Sequence, residues 1–420
     1  GIPDGTLIWR IVQDFVNPLL IFAGTEYGVY VSLNGGNKWH KLSNGMPTIP
    51  VRDLAIQKRE SDLVAATFGR GFYILDNYSP LREISEELLE NDFHIFEIED
   101  ALQYSFTYGG TRSQGNTYFT SKNPPYGATI TYYNKSSLST LKSERKRKES
   151  KLNKENKDVP FPGWDYLDKE ESEESPKLFF EISDSNGKVV SRVSGKNSKG
   201  INRVSWGLTS PSATTIDADY SRSRVYFRSY RVEPGDYYVQ AFNEKNGIIS
   251  ALSDKKSFNV ERIREGSLKN PISQDKINEY TENLLKLYVE YSVNRKKLEN
   301  SKDKIGTLSK VSSYFKENKQ ELSEEIFGIR ERIRLLEISL DGYETKDEID
   351  EKDNLSLSSR LSVASRGLSN SYGPTKMHIQ SFKQAKKLLE NVIPDIIEIE
   401  IAVDKLVMKA ENSGSPKILD

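Results

Sequence analysis

The sequence predicts a multidomain protein that is mainly β in its first part and α-helical in its last part. Short β-branched and aromatic segments, bounded by Gly, Pro, Asn or Asp, follow one another through residues 7–84. Alternating strand patterns continue to about residue 260, and from Asp275 apolar residues recur at spacings of three and four. The expected domains are two blades of a β-propeller in 1–90, an immunoglobulin- or fibronectin-like β-sandwich in 91–262 with a charged insertion at 136–176, and an α-helical bundle in 263–420.

The composition limits the classes of function. The 60 basic and 61 acidic residues give a formal net charge of −1, whereas a general nucleic-acid binder carries a basic excess. Cysteine is absent, which excludes disulfides, thiolate nucleophiles and zinc–sulfur sites. The histidines are scattered without metal-ligand spacing: His40, His94 and His378. We therefore expect no metal, no cofactor, no nucleic-acid partner and, since no apolar run reaches roughly 18 residues, no transmembrane segment.

The first part of the chain has the strand count of two four-stranded propeller blades. Blades bury their faces on one another, so we expect an isolated pair to need further blades as partners. The candidate strands are Leu7–Gln13, Leu19–Ala23, Tyr27–Ser32, Lys38–Leu42, Val51–Gln57, Asp62–Thr67, Gly71–Leu75 and Leu81–Ile84.

One motif between these strands is specific. Residues 32–39 read Ser-Leu-Asn-Gly-Gly-Asn-Lys-Trp and resemble the Asp-box, or BNR repeat, with Asn34 in place of Asp. Glycines such as Gly36 supply positive φ in a tight turn, and Asn34 can bond its own turn. We expect a structural role for Ser32, Asn34, Gly36 and Trp39, with Asn34 at the hairpin turn and Trp39 buried in the core.

The segments around this box extend the resemblance. They are Gly1–Gly5, Ala23–Ser32, Val51–Ile56, Asp62–Asp76 and Ser79–Arg82. Together they look like the end of the propeller in bacterial sortilin-like proteins, which are often labelled glycosyl hydrolases because of their BNR repeats. The resemblance implies that these are the last two blades and that the remaining blades, from the same precursor or a companion chain, are partners. Phe68 stands where that family usually has His.

A propeller-closing motif follows, formed by Gly69, Arg70, Gly71 and Asp76. Since Arg70 lies between two glycines, we expect its backbone to approach another segment closely. We also expect its guanidinium to bond carbonyls or a carboxylate, Asp53 or Asp76, and so to tie adjacent blades. The alternative role for Arg70 is a ligand anchor at the propeller face.

The β-sandwich is predicted from seven strands and two Asn-Gly hairpins. Residues 234–239 resemble the entry to a late strand in fibronectin-like sandwiches, and residues 200–206 resemble the strand that precedes it in the sortilin-like family. The candidate strands are Ala128–Tyr133, Leu178–Ser183, Val189–Val193, Ile201–Leu208, Asp236–Phe242 and Ile248–Ser250, with Ser257–Val260 completing the set.

The charged insertion is basic over Leu141–Lys157 and acidic over Asp168–Glu174. The two runs can pair, so we interpret the insertion as solvated rather than as a nucleic-acid site. The aromatic cluster after the basic run includes Trp164 and Tyr166. These rings are candidates for contacts with a neighbouring domain or, as the alternative, for stacking on a sugar.

Helical spacing of apolar residues predicts the last part of the chain. Two stripes are Ile277, Tyr280, Leu284, Tyr288, Tyr291 and Ile326, Ile329, Ile333, Leu336, Leu340. We expect a further helix at about Thr375–Asn391, a final helix after Pro394, and a loop or weak helix over Gly342–Ser371. Glu398, Glu400 and Asp404 are interpreted as a solvated face rather than a metal site.

No catalytic residues are assigned from the sequence. The first hypothesis is a non-catalytic binding or scaffold protein of the bacterial cell envelope or secretion machinery, exported and working through protein contacts. The alternative is a glycoside hydrolase or glycan-binding protein of the BNR-repeat type, with catalytic residues in further blades. That chemistry needs two opposed carboxylates. None stands out among the candidates here, which are Glu26, Asp53, Asp62 and Asp76.

Overall fold

The computed structural model describes residues 1–104, 121–213, 227–263, 272–349, 351, 355–369 and 372–417. It is a mixed β and α protein with a C-terminal helical region. The chain divides into two compact units. The first contains residues 1–103, 121–208 and 234–262, and the second contains the described residues of 209–233 and 263–420. Most of the two β regions that the sequence divides into separate domains thus belongs to one unit, while the described residues of 209–233 belong to the other.

The chain begins with a four-stranded antiparallel sheet in simple meander order. Its strands are β1 (Ile8–Gln13), β2 (Ile21–Thr25), β3 (Gly28–Ser32) and β4 (His40–Leu42). Each starts one or two residues after its predicted start, because turn residues at strand ends are read less reliably than the strand itself.

A three-stranded antiparallel sheet follows, formed by β5 (Val51–Gln57), β6 (Asp62–Thr67) and β7 (Phe72–Leu75). The predicted eighth strand, Leu81–Ile84, is wrong. Ser79–Arg82 form a 3-10 turn instead, since Pro80 lacks a backbone N–H and fits the first positions of a helical turn. A short helix α1 (Glu86–Glu90) then starts at Ser85, whose side chain accepts the N–H of Leu88. The expectation that residues 1–90 hold only strands therefore fails after Ser79.

The two sheets pack on each other through alternate residues of their strands. The rings of Phe22 and Tyr78 meet edge to face, with centroids 5.1 Å apart. The bulge between Ile8 and Arg10 in β1 shifts the register of that edge strand. The shared core consists of Leu20, Phe22, Val29, Val31, Val51, Leu54, Leu63, Ala65 and Tyr78.

The rest of the β structure is built from eleven described strands. They are β8 (Phe93–Ile95), β9 (Ala101–Gln103), β10 (Ala128–Asn134), β11 (Lys177–Asp184), β12 (Val189–Gly195), β13 (Gly200–Trp206), β14 (Thr209–Ala213), β15 (Phe227–Arg231), β16 (Gly235–Lys245), β17 (Ile248–Ala251) and β18 (Lys256–Arg262).

Two sheets of the first unit come from these strands. One has the order β13-β10-β8, and the other has the order β12-β11-β16-β18-β9, with β17 also paired to β16. Strand β9 pairs in parallel with β18, although the two are far apart in sequence. Aromatic side chains of the two sheets meet, with ring centroids 4.9 Å apart for Tyr132–Phe180 and 5.3 Å for Trp206–Tyr237. Strands β8 and β9 were not predicted from sequence because each has only three residues.

The charged insertion forms two helices, α2 (Leu141–Lys154) and α3 (Trp164–Ser172). A capping box between Thr140 and Ser143 starts α2. The predicted pairing of the basic and acidic runs is confirmed, because Arg145 lies 2.7 Å from Glu170 and 2.6 Å from Glu149. The side chain of Glu173, just after α3, accepts the N–H of Leu141 at the start of α2 at 2.5 Å, which joins the two ends of the insertion.

The second unit combines the β14–β15 hairpin with helices. They are α4 (Gln274–Val311), α5 (Lys319–Asp341), α6 (Glu344–Asp347), α7 (Leu357–Arg366) and α8 (Lys376–Asn412). Both predicted apolar stripes supply core residues, among them Leu284 and Ile333. The predicted break at Pro394 is wrong. α8 runs through it, with Ile396 and Ile399 of the following turn buried in the same core as Leu389.

The carboxylates of α8 have basic partners on neighbouring helices. Glu398 pairs with Arg332, Glu400 with Lys297, and Asp404 with Lys304, at 2.9 to 3.1 Å. These ion pairs match the interpretation of a charged, solvated face. In the parts of the chain that the structure describes, no helix is long and apolar enough to cross a membrane.

Candidate binding site

The strand ends of the first two sheets carry an exposed arrangement of cationic and aromatic side chains. The guanidinium of Arg52, at the start of β5, lies 3.7 Å from the ring centroid of Trp9 and 5.3 Å from that of Phe68. In a cation–π contact the face of the guanidinium packs on the aromatic ring. Its N–H groups lie at the edge of the plane and can still donate to a ligand. Arg52, Trp9 and Phe68 are all exposed. The arrangement is therefore suited to present a fixed guanidinium beside apolar rings to an anionic or polar ligand.

Arg70 belongs to the same end of the sheets but does not act as the sequence predicts. It is exposed, and within the described ranges it has no hydrogen bond or ion pair. Gly69 and Gly71 have φ of 87° and 67°, and a Cβ on either would meet no atom within 4 Å. Their role is to turn the β6–β7 hairpin, not to permit a close approach. The Thr67 N–H donates across that turn to the carbonyl of Gly71 at 2.9 Å.

Arg10 and Arg203 make the kinds of contact expected of Arg70. Arg10 of β1 lies 3.3 Å from Asp53 of β5, in an exposed pair that joins the two sheets. Arg203 of β13 donates to the backbone carbonyl of Asp76 at 2.7 Å and also to that of Asn77. Pairing of these residues depends on the packing of distant strands, so local sequence could not reveal it.

The carboxylates weighed as catalytic groups have structural contacts. Glu26 accepts the Leu7 N–H at 3.0 Å, Asp53 accepts the Leu54 N–H, and Asp62 accepts the Asn77 N–H, both at 2.9 Å. Burial raises the pKa of Asp76, and the nearby negative charge of Asp62 adds to this effect. Among the residues whose placement is described, no group of three His, Cys, Asp or Glu could hold a metal ion.

Residues 32–39, the segment that resembles an Asp-box, form the expected hairpin turn between β3 and β4. The Ser32 hydroxyl donates to Oδ1 of Asn34 at 3.1 Å and accepts the Gly36 N–H at 2.8 Å. Oδ1 of Asn34 also accepts the Lys38 N–H at 2.9 Å, so the amide makes the turn bonds without a negative charge. Trp39 is only half-buried, which corrects the prediction. The next strand, β4, has only three residues and lies at the edge of its sheet, so it offers little surface for the ring of Trp39 to pack against.

A buried ion pair that the sequence analysis missed joins the first two sheets. The Asp14 side chain is 0% exposed, and Nε and Nη2 of Arg82 each donate to it at 2.9 Å. The Tyr78 hydroxyl also donates to Asp14, at 2.6 Å. Burial alone would raise the pKa of Asp14, but the hydrogen bonds from Arg82 and Tyr78 outweigh it and lower that pKa to about 2.

Apolar side chains remain exposed on the sides of this sheet pair that face away from the shared core, at β7 in one sheet and at β1 in the other. Alternation along β7 directs Tyr73 into the core and leaves Phe72 and Ile74 outside, with Phe72 74% exposed. On the other sheet, the exposed apolar residues lie on β1 and the loop after it. They include Ile8, Trp9, Ile11, Phe15, Val16 and Leu19.

The aromatic cluster of the insertion is divided between two roles. The Tyr166 hydroxyl donates to the Leu141 carbonyl at 3.3 Å, so this ring holds α3 to α2. Trp164 is 73% exposed and meets Phe161 edge to face at 5.2 Å. The predicted contact of these rings with a neighbouring domain stays a prediction.

Comparison with known proteins gives little. No family model matches the chain, and no curated protein matches it. The extracellular domain of a putative one-component system from B. thetaiotaomicron is similar over 63% of this chain at 12% identity, with a TM-score of 0.15. The chain spans 26% of the length of that solved chain. A likeness at this TM-score carries no argument about fold or function.

Proposed function

We propose that this chain is a non-catalytic binding or scaffold protein of the bacterial cell envelope or secretion machinery, exported from the cytoplasm. In this proposal the first two sheets are the last blades of a sortilin-like propeller. The next two sheets form an immunoglobulin- or fibronectin-like sandwich, and the helical region forms a bundle. The Asp-box turn, the meander order of β1–β4 and the facing aromatic residues of the later sheets support it.

The observation that carries the proposal is the apolar surface on both outer parts of the first sheet pair. Phe72 and Ile74 project from β7 on the side away from the core. On the other sheet, Ile11 of β1 is paired with Ala23, which lies on the opposite face of β2 from the core residue Phe22, so Ile11 also points away from the core. Burying apolar area contributes roughly 25 cal/mol per Å². Further sheets stacked on these faces, as in a propeller, would cover them.

Binding is favoured over catalysis by the contacts of the polar groups. Asp53 pairs with Arg10, while Asp62 accepts a turn N–H, so both have structural tasks. The cationic and aromatic groups around Arg52 instead resemble a recognition surface, since they offer a charge and apolar contact without a nucleophile–base pair.

The test measures the mass of the full chain in solution. We expect concentration-dependent self-association through the uncovered faces, and a shift to monomer in the variant Phe72→Lys, Ile74→Lys. The matched control is Ile248→Lys, Ile249→Lys, which changes two equally exposed residues of β17 and should leave association unchanged. A wild-type chain that remains a monomer over the whole concentration range would contradict the proposal.

A glycan-binding or glycoside hydrolase function is the second candidate, favoured by the exposed rings of Trp9 and Phe68 beside Arg52. A panel of aryl glycosides and polysaccharides separates it from the first. We expect no turnover by the chain. Turnover that disappears in Asp53→Ala or Asp76→Ala would replace the binding proposal with the enzymatic one.

A further inference from the structure

Helix α2 has an exposed face that is entirely basic or neutral. None of its side chains is buried. Its two acidic residues are half-buried and used locally, because Glu144 accepts the Ser139 hydroxyl and Glu149 pairs with Arg145. The fully exposed positions hold three neutral residues, Ser143, Ser150 and Asn153, and six bases, which are Lys142, Lys146, Arg147, Lys148, Lys151 and Lys154.

Of the acidic residues in the two helices, the exposed ones are on α3. α3 packs on the half-buried side of α2 through Arg145 and Glu170, and Asp165, Asp168 and Glu171 are exposed on it. The basic face of α2 is therefore not covered by the acidic residues of α3 and can bind a partner. A side-chain hydrogen bond from Arg145, followed by the charges of Lys142 and Lys146, lowers the pKa of Glu170. This direction agrees with a positive field along α2.

Two exposed apolar rings follow α2 in the chain. Phe161 lies in the segment between α2 and α3, and Trp164 is the first residue of α3. Their planes meet at 68°, so they do not form one flat platform for a sugar ring. Exposed Trp and Phe beside a basic helix are the residues that enter the interface of a membrane. An acidic polysaccharide would use the bases but gain little from Phe161, and a net charge of −1 lacks the basic excess of a general nucleic-acid binder.

We propose that α2, together with Phe161 and Trp164, binds the surface of an anionic lipid bilayer. The six bases contact the headgroups and the two rings enter the interface beside them. The inference goes beyond the proposed function and uses none of the contacts on which that function rests.

The test is flotation of the full chain with vesicles of equimolar phosphatidylcholine and phosphatidylglycerol, at low and high salt. Each Lys or Arg near such a surface contributes about a fivefold factor in partitioning, so the variant Lys146→Gln, Arg147→Gln, Lys148→Gln should bind roughly 100-fold more weakly. The matched control, Lys383→Gln, Lys386→Gln, Lys387→Gln, removes three exposed charges from α8 and should bind as the wild type does. High salt should release the protein.

Two further measurements complete the design. Trp164→Ala should lower vesicle binding several-fold, while the far-ultraviolet circular dichroism stays unchanged. Three results would each overturn the proposal. They are equal binding of the wild type to pure phosphatidylcholine and to the mixed vesicles, a loss of vesicle binding in the α8 control as large as that in the α2 variant, and retention by heparin without vesicle binding. Unchanged binding of Trp164→Ala would overturn the part assigned to the rings.

Discussion

Replacing Asp14 by Asn keeps the size of the side chain and removes its charge. Arg82 and Tyr78 would then donate to a neutral group inside the first unit. Removing one partner of a buried ion pair costs about 3 kcal/mol, because the other charge stays desolvated. We expect Asp14→Asn to lower the free energy of unfolding by this amount in urea titrations. The control Asp4→Asn changes an exposed residue and should be neutral.

The same residue makes the first unit sensitive to acid. The pKa of Asp14 is about 2 in the folded chain and 3.8 in its ordinary state. Because the folded value is the lower one, its stabilisation is complete above pH 3.8 and is lost as the pH falls through 2. The contribution is about 2 kcal/mol. The stability difference between wild type and Asp14→Asn should therefore shrink between pH 5 and pH 2. A constant difference would contradict the assignment.

Single residues differ in how far local sequence reveals their role. Asn34 could be placed at a turn because its partners, Ser32 and Lys38, lie within four residues of it. Asp14 could not be paired with Arg82, since 68 residues separate them. Arg70 was assigned a contact because of its flanking glycines, but those glycines serve the hairpin itself.

At the scale of elements, Pro394 is the residue of α8 that opposes its helix. It lies on the exposed side and offers no N–H to the carbonyl of Glu390, four residues earlier. Proline in a helix interior is about 3 kcal/mol less favourable than alanine. We therefore expect Pro394→Ala to raise the free energy of unfolding of the helical unit by about 1 kcal/mol or more. Asp395→Ala is the exposed control, and a loss of stability in Pro394→Ala would contradict the argument.

Elements were predicted well where their pattern is long and local. The strands of the first meander and the two apolar stripes of α4 and α5 follow directly from alternation and from 3–4 spacing. Leu81–Ile84 was misread because two apolar residues three positions apart, next to Pro80, suit a short strand or a helical turn equally well. Pro394 was misread because the packing of Ile396 and Ile399 on the core outweighs the local cost of proline.

At the scale of the whole first unit, Arg203 links two regions that are distant in sequence. It joins β13 to the end of β7 through the carbonyls of Asp76 and Asn77. Hydrogen bonds from a charged donor contribute about 1.5–3 kcal/mol when buried, and less where water reaches them. We expect Arg203→Ala to lower the thermal midpoint and to speed proteolysis near Asn77. Arg192→Ala, which removes a pair on β12, should leave cleavage at that site unchanged.

The sequence by itself determined the order of β and α regions, the turn at residues 32–39 and the absence of cysteine chemistry, because these depend on composition and on neighbours within a few residues. Only the tertiary structure decided that most of both β regions forms one compact unit, that Asp14 is buried with Arg82, and that Arg52 stacks on Trp9. Those features join residues tens of positions apart. Their energies come from burial and from charges in contact, which exist only once the strands have packed.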